Sequence, residues 1–263
     1  MMNKSLKIGL IVGLLAGLFF LIIAIVRVYN PRLIPKMKRQ ISNIVKLERP
    51  PNIPQRLQGY NMLGIDVSHY QGKIKWDLLK KIDEKRISFV FIRATQGRDG
   101  RDKHFERNWK AAKEKGFIRG AYHYYRPNEN SIKQADKFIK HVKLEVGDLP
   151  PVLDIEKFSR VQSRRSLQIA LKKWLDKVES HYGMKPIIYT GASHYKDLLD
   201  NETFDDYVLW VANYNDVKLP FKEKNEWKFW QYRDWGYVDG IKGNVDLNVF
   251  NGNRQKIESI LIK

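Results

Sequence analysis

Residues 150–156 read PPVLDIE, a short apolar strand that ends in two carboxylates, Asp154 and Glu156. Side chains on a strand alternate between faces, so these two acids point the same way, about 6–7 Å apart. Two acids crowded on one face resist double ionisation, so one pKa should rise and retain a proton near neutral pH. Such a pair suits the cleavage of a glycosidic bond. The alternative is a strand end that forms ion pairs with nearby Lys or Arg.

This strand is one of eight short apolar runs, which are residues 64–68, 88–95, 118–125, 151–156, 186–191, 208–214, 228–232 and 245–250. Helical patterns fit residues 76–85, 105–115, 131–146, 163–182 and 193–199, and none lies between the last three runs. Strand–helix alternation predicts an α/β fold with a parallel sheet and right-handed crossovers. Eight strands favour an irregular (β/α) barrel with about five helices, helix-poor at its C-terminal end, over a doubly wound open sheet.

Two of the predicted helices have recognisable ends. Ser131 and Gln134 have the spacing of a capping box at the start of the third helix. The fourth helix is predicted to end at Gly183 in a left-handed conformation, because Pro186 follows soon after.

The first 28 residues differ in character from the rest and predict one transmembrane helix. From Ile8 to Val26 runs an uncharged apolar stretch of 19 residues. As a helix it would be about 28 Å long, close to the hydrocarbon thickness of a bilayer. No small-residue cleavage site follows, so an uncleaved anchor is predicted. Glycines at every fourth position allow weak self-association of the anchor, although glycine is common in membrane helices; they are Gly9, Gly13 and Gly17.

Composition divides the remainder into a basic, proline-containing linker, residues 29–60, and a large domain, residues 61–263. Residues 1–60 hold ten Lys or Arg and the single acid Glu48, within a chain of net charge +19. A basic segment beside a membrane anchor is attracted to anionic lipid headgroups. No helix-turn-helix, zinc-finger or aromatic RNA-binding signature accompanies the charge, so nucleic acid is not an expected partner.

Several kinds of chemistry are excluded or disfavoured. The chain has no cysteine, which excludes disulfides, zinc-thiolate sites and thiol catalysis. His69 and His123 lack metal-binding spacing, so we interpret them as hydrogen-bonding groups in a cleft and expect neither a metal nor an organic cofactor. Ser68 and Ser193 lack a nucleophile-elbow context, which disfavours a serine hydrolase.

Four acidic residues fall in or at the ends of the predicted strands: Asp66, Asp154, Glu156 and Asp246. In a (β/α) barrel the active face is the carboxyl end of the strands, and the first and last strands become neighbours. Asp66 and Asp246 should therefore converge, with the other pair across the mouth. Buried unpaired carboxylates are costly, so packing alone explains these acids poorly.

Aromatic residues accompany the acids near strand ends: Tyr122, Tyr124, Tyr189, Trp210, Tyr214, Trp230 and Tyr232. Sugar faces stack on such rings, while the polar groups of the rings bind hydroxyls. The alternative is that they pack in the core, which we expect for about half of them.

In these segments the chain resembles glycoside hydrolase family 25, the lysozymes that act as peptidoglycan N-acetylmuramidases. The matching segments run in order through about residues 62–252 and are GIDVSHYQG (64–72), IRATQG (92–97), AYHY (121–124), LDIE (153–156), IYT (188–190), LWVANY (209–214), WQY (230–232) and VDLN (245–248). The resemblance implies a (β/α)-type barrel with a helix-poor end. It also implies hydrolysis of β-1,4 bonds between N-acetylmuramic acid and N-acetylglucosamine.

Carried over by position, the resemblance makes Glu156 the general acid and lets Asp154 support the substrate 2-acetamido group. Asp66 and Asp246 would line the catalytic cleft and tune those two acids. Substrate contacts would come from Arg93, Tyr122, His123, Tyr124, Tyr189, Trp210, Tyr214 and Gln231. The resemblance favours retention of configuration, with the acetamido oxygen as nucleophile. From the sequence, direct attack by water also stays open, since it is the separation of the carboxylates in the structure that helps to distinguish the two.

Two positions depart from the family pattern, which usually has Lys and Glu where this chain has Arg93 and Gln96. Gln96 removes a carboxylate near the cleft, which leaves open a non-catalytic, membrane-tethered glycan-binding protein on the same scaffold. A basic membrane-tethered scaffold is a third hypothesis, and salt would abolish its binding. The four principal acids favour the enzyme.

The charges that flank the predicted anchor argue against the expected location. Two lysines precede it, whereas Arg27, Arg32, Lys36, Lys38 and Arg39 follow it. The positive-inside rule would place the large domain in the cytoplasm, although long domains can translocate despite flanking charge. Because peptidoglycan lies outside the cytoplasmic membrane, the resemblance favours a single-pass membrane protein with an extracytoplasmic catalytic domain.

Overall fold

A computed structural model describes residues 50–215 and 227–263 of the chain. Residues 52–263 form one compact unit. Within the described residues, no helix is both long enough and apolar enough to cross a membrane. The predicted anchor, residues 1–28, lies outside them, as does most of the predicted linker.

The described residues contain ten strands: β1 (Leu63–Val67), β2 (Lys81–Ile82), β3 (Lys85–Gln96), β4 (Gly100–Arg101), β5 (Ile118–Tyr124), β6 (Val152–Asp154), β7 (Ile187–Gly191), β8 (Val208–Ala212), β9 (Phe229–Gly236) and β10 (Val245–Phe250). Eight of these close into a barrel in the order β1-β3-β5-β6-β7-β8-β9-β10, with β10 returning to β1. The predicted eight-stranded barrel is confirmed, and the open-sheet alternative is wrong.

The last strand corrects the expectation of a parallel sheet. β10 runs antiparallel to both β9 and β1, whereas the other barrel strands are parallel to their neighbours. The reason is the connection: residues 237–244 form a short loop without a crossover helix, and a short loop returns the chain in the opposite direction. The first residues of β10 therefore lie beside the last residues of β1.

Five α-helical segments occur in the described residues: α1 (Phe105–Glu114), α2 (Ser131–His141), α3 (Arg164–Tyr182), α4 (Ala192–His194), which continues as a π-helical turn (Tyr195–Leu199), and α5 (Arg254–Glu258). The helices predicted at 105–115, 163–182 and 193–199 are confirmed, and the one predicted at 131–146 ends earlier. The helix predicted at 76–85 is wrong. Trp76, Leu79 and Ile82 are buried three residues apart, which imitates a helical stripe, yet they belong to a 3₁₀ turn and the β2–β3 hairpin.

The predicted helix ends have mixed outcomes. Gly183 ends α3 at φ 72° and its N–H donates to Glu179 O at 2.8 Å, as predicted. The capping box at Ser131 is wrong, because the cap is Asn130, whose side chain accepts from the Lys133 N–H. Gln134 is instead buried, and it holds the backbone of Arg126 by accepting from its N–H and donating to its C=O.

Strand alternation divides the apolar side chains between an outer layer under the helices and the barrel interior. The interior is filled by rings that include Phe89, Phe91 and Phe229. Gly64 and Gly120 make room for them, since a Cβ would lie 2.2 Å from the Phe89 ring and 2.5 Å from the Phe91 ring. Ile257 of α5 belongs to the same cluster. The interior is thus packed, and polar inward-facing side chains collect at the carboxyl ends of the parallel strands.

Candidate active site

A cleft of about 780 Å³ opens at the carboxyl ends of the parallel strands. All four acids predicted from the sequence line it: Asp66, Asp154, Glu156 and Asp246. The predicted contacts that also line it are Arg93, Tyr122, Tyr124, Tyr189, Trp210, Tyr214 and Gln231, together with Gln96. The fold therefore brings together residues from all eight barrel strands.

Asp66 and Asp246 are register partners on β1 and β10 and act as one proton-sharing pair. Burial raises the pKa of Asp66 to about 6, although hydrogen bonds from Asn248, Gln231 and Asp246 oppose the rise. Burial and the charge of Asp66 raise the pKa of Asp246 further, to about 9. At neutral pH Asp246 therefore keeps its proton and donates it to the Asp66 carboxylate.

The Asp66 carboxylate also receives two ordered amide donors. Its Oδ2 accepts from Gln231 Nε2 and from Asn248 Nδ2, each at 2.8 Å. Gln231 Oε1 in turn accepts from the hydroxyls of Tyr189 and Tyr214 at 2.8 and 2.6 Å. The two amide groups donate to Asp66 and the two hydroxyls hold the Gln231 amide in place, so the network favours the ionised form of Asp66 and fixes its orientation.

Asn248 is a member of this network that the sequence-based prediction missed. Its side-chain oxygen accepts from Trp210 Nε1 at 2.8 Å, so Asn248 connects the aromatic floor of the cleft to Asp66. A signal was available, because Asn248 follows Asp246 by two positions on the same strand and must share its face.

Asp154 ends β6 and is almost fully buried, with 3% of its surface exposed. Its Oδ1 has no hydrogen-bond partner within residues 50–215 and 227–263. Burial, followed by the negative charges of Glu156 and Asp66, raises the pKa of Asp154 well above its ordinary value. The site thus holds a carboxyl oxygen whose hydrogen-bonding capacity the described residues leave unused.

Glu156 lies two residues further on, at the rim of the cleft. Protein atoms crowd its carboxyl group, yet the side chain remains exposed to solvent. Burial and the charge of Asp66 raise the pKa of Glu156, while Lys157 and Arg93 act in the opposite direction. A solvent-accessible carboxyl that holds its proton more tightly than usual can serve as a general acid.

Arg93 on β3 provides a fixed positive charge beside the acids, with 6% of its surface exposed. Its Nε donates to Asp102 Oδ2 at 3.2 Å, and its guanidinium also contacts His69 Nδ1 and the face of Tyr70. Burial pushes the pKa of Asp102 upward, but backbone N–H groups of His104 and His69, with Arg93, outweigh it and lower the pKa. Asp102 remains ionised and holds the guanidinium in place.

The aromatic residues differ in what they can contact. Trp210 stacks on Phe91 with ring centroids 4.1 Å apart, and the Tyr189 ring centroid lies 4.4 Å from that of Trp210. These three rings form the rigid floor of the cleft. Tyr214 is 46% exposed and presents its ring at the mouth. Tyr124 is half-buried at the opposite side. The exposed rings are placed to stack on a sugar while the buried ones fix the floor.

His123 does not line the cleft, which corrects its assignment to it, and Trp230 and Tyr232 are buried away from the cleft, in line with the core packing expected for about half of the aromatic residues. His123 is fully buried on the outer face of β5, where Nδ1 lies 2.7 Å from Thr95 Oγ1 and the ring stacks on Trp174. Burial lowers its pKa to about 4, so it is neutral. The reason is alternation: neighbours of Tyr122, Tyr124 and Gln231 on a strand must face the other way.

No cluster of three His, Asp or Glu side chains arranged to hold a metal ion occurs in the part of the chain that the structure describes. The cleft instead combines paired carboxyls, a buried guanidinium and exposed rings, which suit acid–base chemistry on a carbohydrate.

The fold and this cleft define a glycoside hydrolase on an irregular (β/α) barrel. Residues 65–241 match the family model for glycosyl hydrolases family 25. The chain is 35% identical over 207 residues to Lysozyme M1 of Streptomyces globisporus, covering 74% of this chain and 69% of that protein. It is 41% identical over 204 residues to the uncharacterized protein YegX of Escherichia coli, covering 77% of this chain and 74% of that one.

Similarity to solved structures agrees with the sequence matches. A family 25 glycosyl hydrolase from Bacillus anthracis superposes with a TM-score of 0.71 at 30% identity, covering 82% of this chain and 99% of that chain. The chain belongs to glycoside hydrolase family 25, and the resemblance inferred from the sequence is confirmed.

Proposed function

We propose that this enzyme is a peptidoglycan muramidase that hydrolyses β-1,4 bonds between N-acetylmuramic acid and N-acetylglucosamine. The observation that carries the proposal is the convergence of four acids in one cleft, with Glu156 at its solvent-accessible rim. Similarity to Lysozyme M1 supports it, as does 32% identity to the autolytic lysozyme of Clostridium acetobutylicum over 72% of this chain.

In the proposed reaction Glu156 gives its proton to the glycosidic oxygen as the bond from that oxygen to the anomeric carbon breaks. The resulting Glu156 carboxylate then takes a proton from the water that completes hydrolysis at the same carbon. Asp154 sits beside this centre with one unpartnered oxygen, which can accept from the N–H of the 2-acetamido group. That contact would orient the acetamido group next to the anomeric carbon.

Asp66, whose carboxylate accepts from the protonated Asp246, acts on these two acids through its charge. The ionised Asp66 raises the pKa of both Asp154 and Glu156, which helps Glu156 to retain its proton near neutral pH. Burial raises the pKa of Glu156 in the same direction, whereas Lys157 and Arg93 oppose the rise, so these effects together set the pH range in which Glu156 is protonated.

We further propose that residues 1–28 anchor the enzyme in the cytoplasmic membrane, with the catalytic domain on the outer side, near the cell wall. The uncharged run Ile8–Val26 and the location of the substrate support this arrangement. The glycine spacing in the run provides a surface for weak pairing of anchors. Protease treatment of intact spheroplasts tests the topology, and a catalytic domain that is protected from digestion contradicts it.

The test of the activity is product analysis by mass spectrometry with the detergent-solubilised full chain and purified peptidoglycan. We expect fragments with N-acetylmuramic acid at the new reducing end. Glu156→Gln should lower kcat by about 10²- to 10⁴-fold, because a general acid contributes on that scale. The exposed control variant Glu202→Gln should retain activity.

Other outcomes assign other functions. Reducing ends that carry N-acetylglucosamine would identify the opposite bond specificity. Binding of glycan without any new reducing ends, in the wild type as in Glu156→Gln, would support the non-catalytic glycan-binding alternative.

A further inference from the structure

One end of the cleft is formed by the loops that follow β5 and β6, and it is lined by positive charge. Arg126 lies on the first loop, and Lys157 and Arg160 lie on the second. These three residues are here called the basic rim, and Lys157 follows Glu156 directly in the sequence. A group bound to the rim is therefore attached close to the bond that Glu156 would protonate.

The two loops are tied together, so the basic rim is preformed. Asn128 Oδ1 accepts from Ser159 Oγ at 2.8 Å and from the Arg160 N–H at 3.1 Å. Gln162 Nε2 donates across the loops to the Pro127 C=O. Gln134 holds the Arg126 backbone from below. A ligand would meet an ordered surface and would not have to order these loops itself.

The charges of the basic rim are only partly compensated. Arg126 donates to Glu129 Oε1 at 3.2 Å, which neutralises it. Lys157 Nζ lies over the Tyr124 ring, 5.8 Å from its centroid, and the charge of Arg160 is close enough to repel that of Lys157. In residues 50–215 and 227–263 the Arg160 side chain has no ion pair. The acid whose charge acts on Lys157 is Glu156, which must be protonated to act, so two cations remain available to an anion.

An apolar surface lies beside these cations. Phe158 lines the cleft, is 41% exposed and stacks on His194 with ring centroids 4.7 Å apart. Neutral sugars need no such cations, whereas a short peptide with carboxylates and methyl groups matches both features.

We propose that the basic rim binds the carboxylates of the peptide stem borne by the glycan, with Phe158 supporting its apolar side chains. This inference rests on the proposed muramidase function and names its preferred substrate as stem-bearing glycan. Lys157 and Arg160 are the specificity-determining residues.

The test compares two substrates prepared from one peptidoglycan sample: strands with their stems intact, and strands from which an amidase has removed the stems. We expect the full-length wild type to show a kcat/KM about five- to tenfold higher on stem-bearing strands, and the advantage to shrink in high salt. In Lys157→Gln/Arg160→Gln the ratio of the two kcat/KM values should fall to near one. Loss of Lys157 also changes the pKa of Glu156, but that change affects both substrates and therefore cancels in the ratio.

A matched control removes two charges elsewhere. Lys110 and Lys133 are exposed on α1 and α2 and do not line the cleft, so Lys110→Gln/Lys133→Gln should keep the wild-type ratio. Equal rates of the wild type on both substrates, or an unchanged ratio in Lys157→Gln/Arg160→Gln, overturn the inference.

A binding measurement separates failure of this inference from failure of the proposed activity. Isolated stem peptide, titrated calorimetrically into the full chain, should bind the wild type at least about fivefold more tightly than Lys157→Gln/Arg160→Gln. That result supports the inference even if the wild type hydrolyses neither substrate, an outcome that contradicts the muramidase proposal alone. Binding of polyglycerol phosphate in place of the stem peptide would assign the basic rim to wall phosphate polymers and overturn the inference.

Discussion

Asp66 and Asp246 come from the first and last strands of the barrel, and they share one proton across the antiparallel pair that closes it. Their meeting depends on the direction of β10. Asp246 is the second residue of β10, so in a parallel strand it would lie at the opposite end of the barrel from Asp66. The reversal of one strand thus places the fourth acid in the cleft.

This pair makes folding stability depend on pH. The pKa values of Asp66 and Asp246 are about 6 and about 9 in the folded state, above the ordinary value of 3.8. Between about pH 4 and pH 9 the folded state therefore binds more protons than the unfolded state, so stability falls as pH rises. Asp246→Asn keeps a neutral hydrogen-bond donor to Asp66 and removes the larger share of the stability that is lost as pH rises. The melting temperature of Asp246→Asn minus that of wild type should increase steadily from pH 5 to pH 9, because the variant loses less stability than wild type as pH rises.

The control for that comparison is Asp197→Asn, at an exposed position away from the pair. Its melting temperature should follow the wild type across the same range. If Asp246→Asn also follows the wild type in parallel, Asp246 is ionised in the folded state and the proton-sharing pair does not exist.

Asn248 supplies a second test of the network around Asp66. Asn248→Ala removes a donor to Asp66 and leaves the buried Trp210 N–H without its acceptor. We expect the unfolding free energy to fall by about 1–3 kcal/mol. Loss of the donor should also raise the pKa of Asp66. Urea unfolding measures the first effect, and the pH profile of activity measures the second.

Asn248→Asp is the informative comparison, because it keeps an acceptor for Trp210 but loses the donor to Asp66. We expect it to shift the pH profile at least as far as Asn248→Ala does. If the pH profile of activity shifts in neither variant, Asn248 contributes to packing but does not set the pKa of Asp66.

The alternation of side chains between the two faces of a strand predicts more of this site than we inferred from the sequence. It correctly paired Asp154 with Glu156, and it placed Asp66 at the mouth once a barrel was assumed, whereas Asp246 reaches the mouth only because β10 is antiparallel. The same period of two, applied to the run Tyr122-His123-Tyr124, excludes His123 from the cleft. Applied to 230–232, it selects Gln231 and rejects the two aromatic residues beside it.

Other features depend on tertiary contacts that leave no periodic signal. The stripe Trp76, Leu79 and Ile82 has helical spacing, but Asp83 turns the chain at φ 50° while accepting from the Ile53 N–H, thirty residues away in sequence. The loops of the basic rim are ordered by Asn128 and Gln134, whose partners lie on other segments. Local sequence patterns do not encode such long-range hydrogen bonds.

Arg119 provides a test of stability outside the cleft. It is buried on the outer face of β5, where it forms a bidentate pair with Asp148 at 2.6 and 3.1 Å and lies over Trp109. Arg119→Met leaves the buried Asp148 charge unpaired, so we expect a loss of about 3–5 kcal/mol in unfolding free energy. Arg119→Met/Asp148→Leu removes both charges and should recover much of that loss in urea unfolding. If the double variant is no more stable than Arg119→Met, packing and not the unpaired charge dominates.

Asp154→Asn tests whether Asp154 acts through the acetamido group, as its unpartnered oxygen suggests. On N-acetylated glycan we expect kcat to fall by about 10- to 100-fold with little change in KM, because the interaction develops as the bond breaks. Chemical N-deacetylation leaves an amine at this position and removes the acetyl group that Asp154 would orient beside the anomeric carbon, so wild type should already be slow on such glycan. The substitution should then cost almost nothing more. Equal losses on both substrates would instead mean that Asp154 acts on Glu156 or on the sugar ring itself, since neither of those contacts depends on the acetyl group.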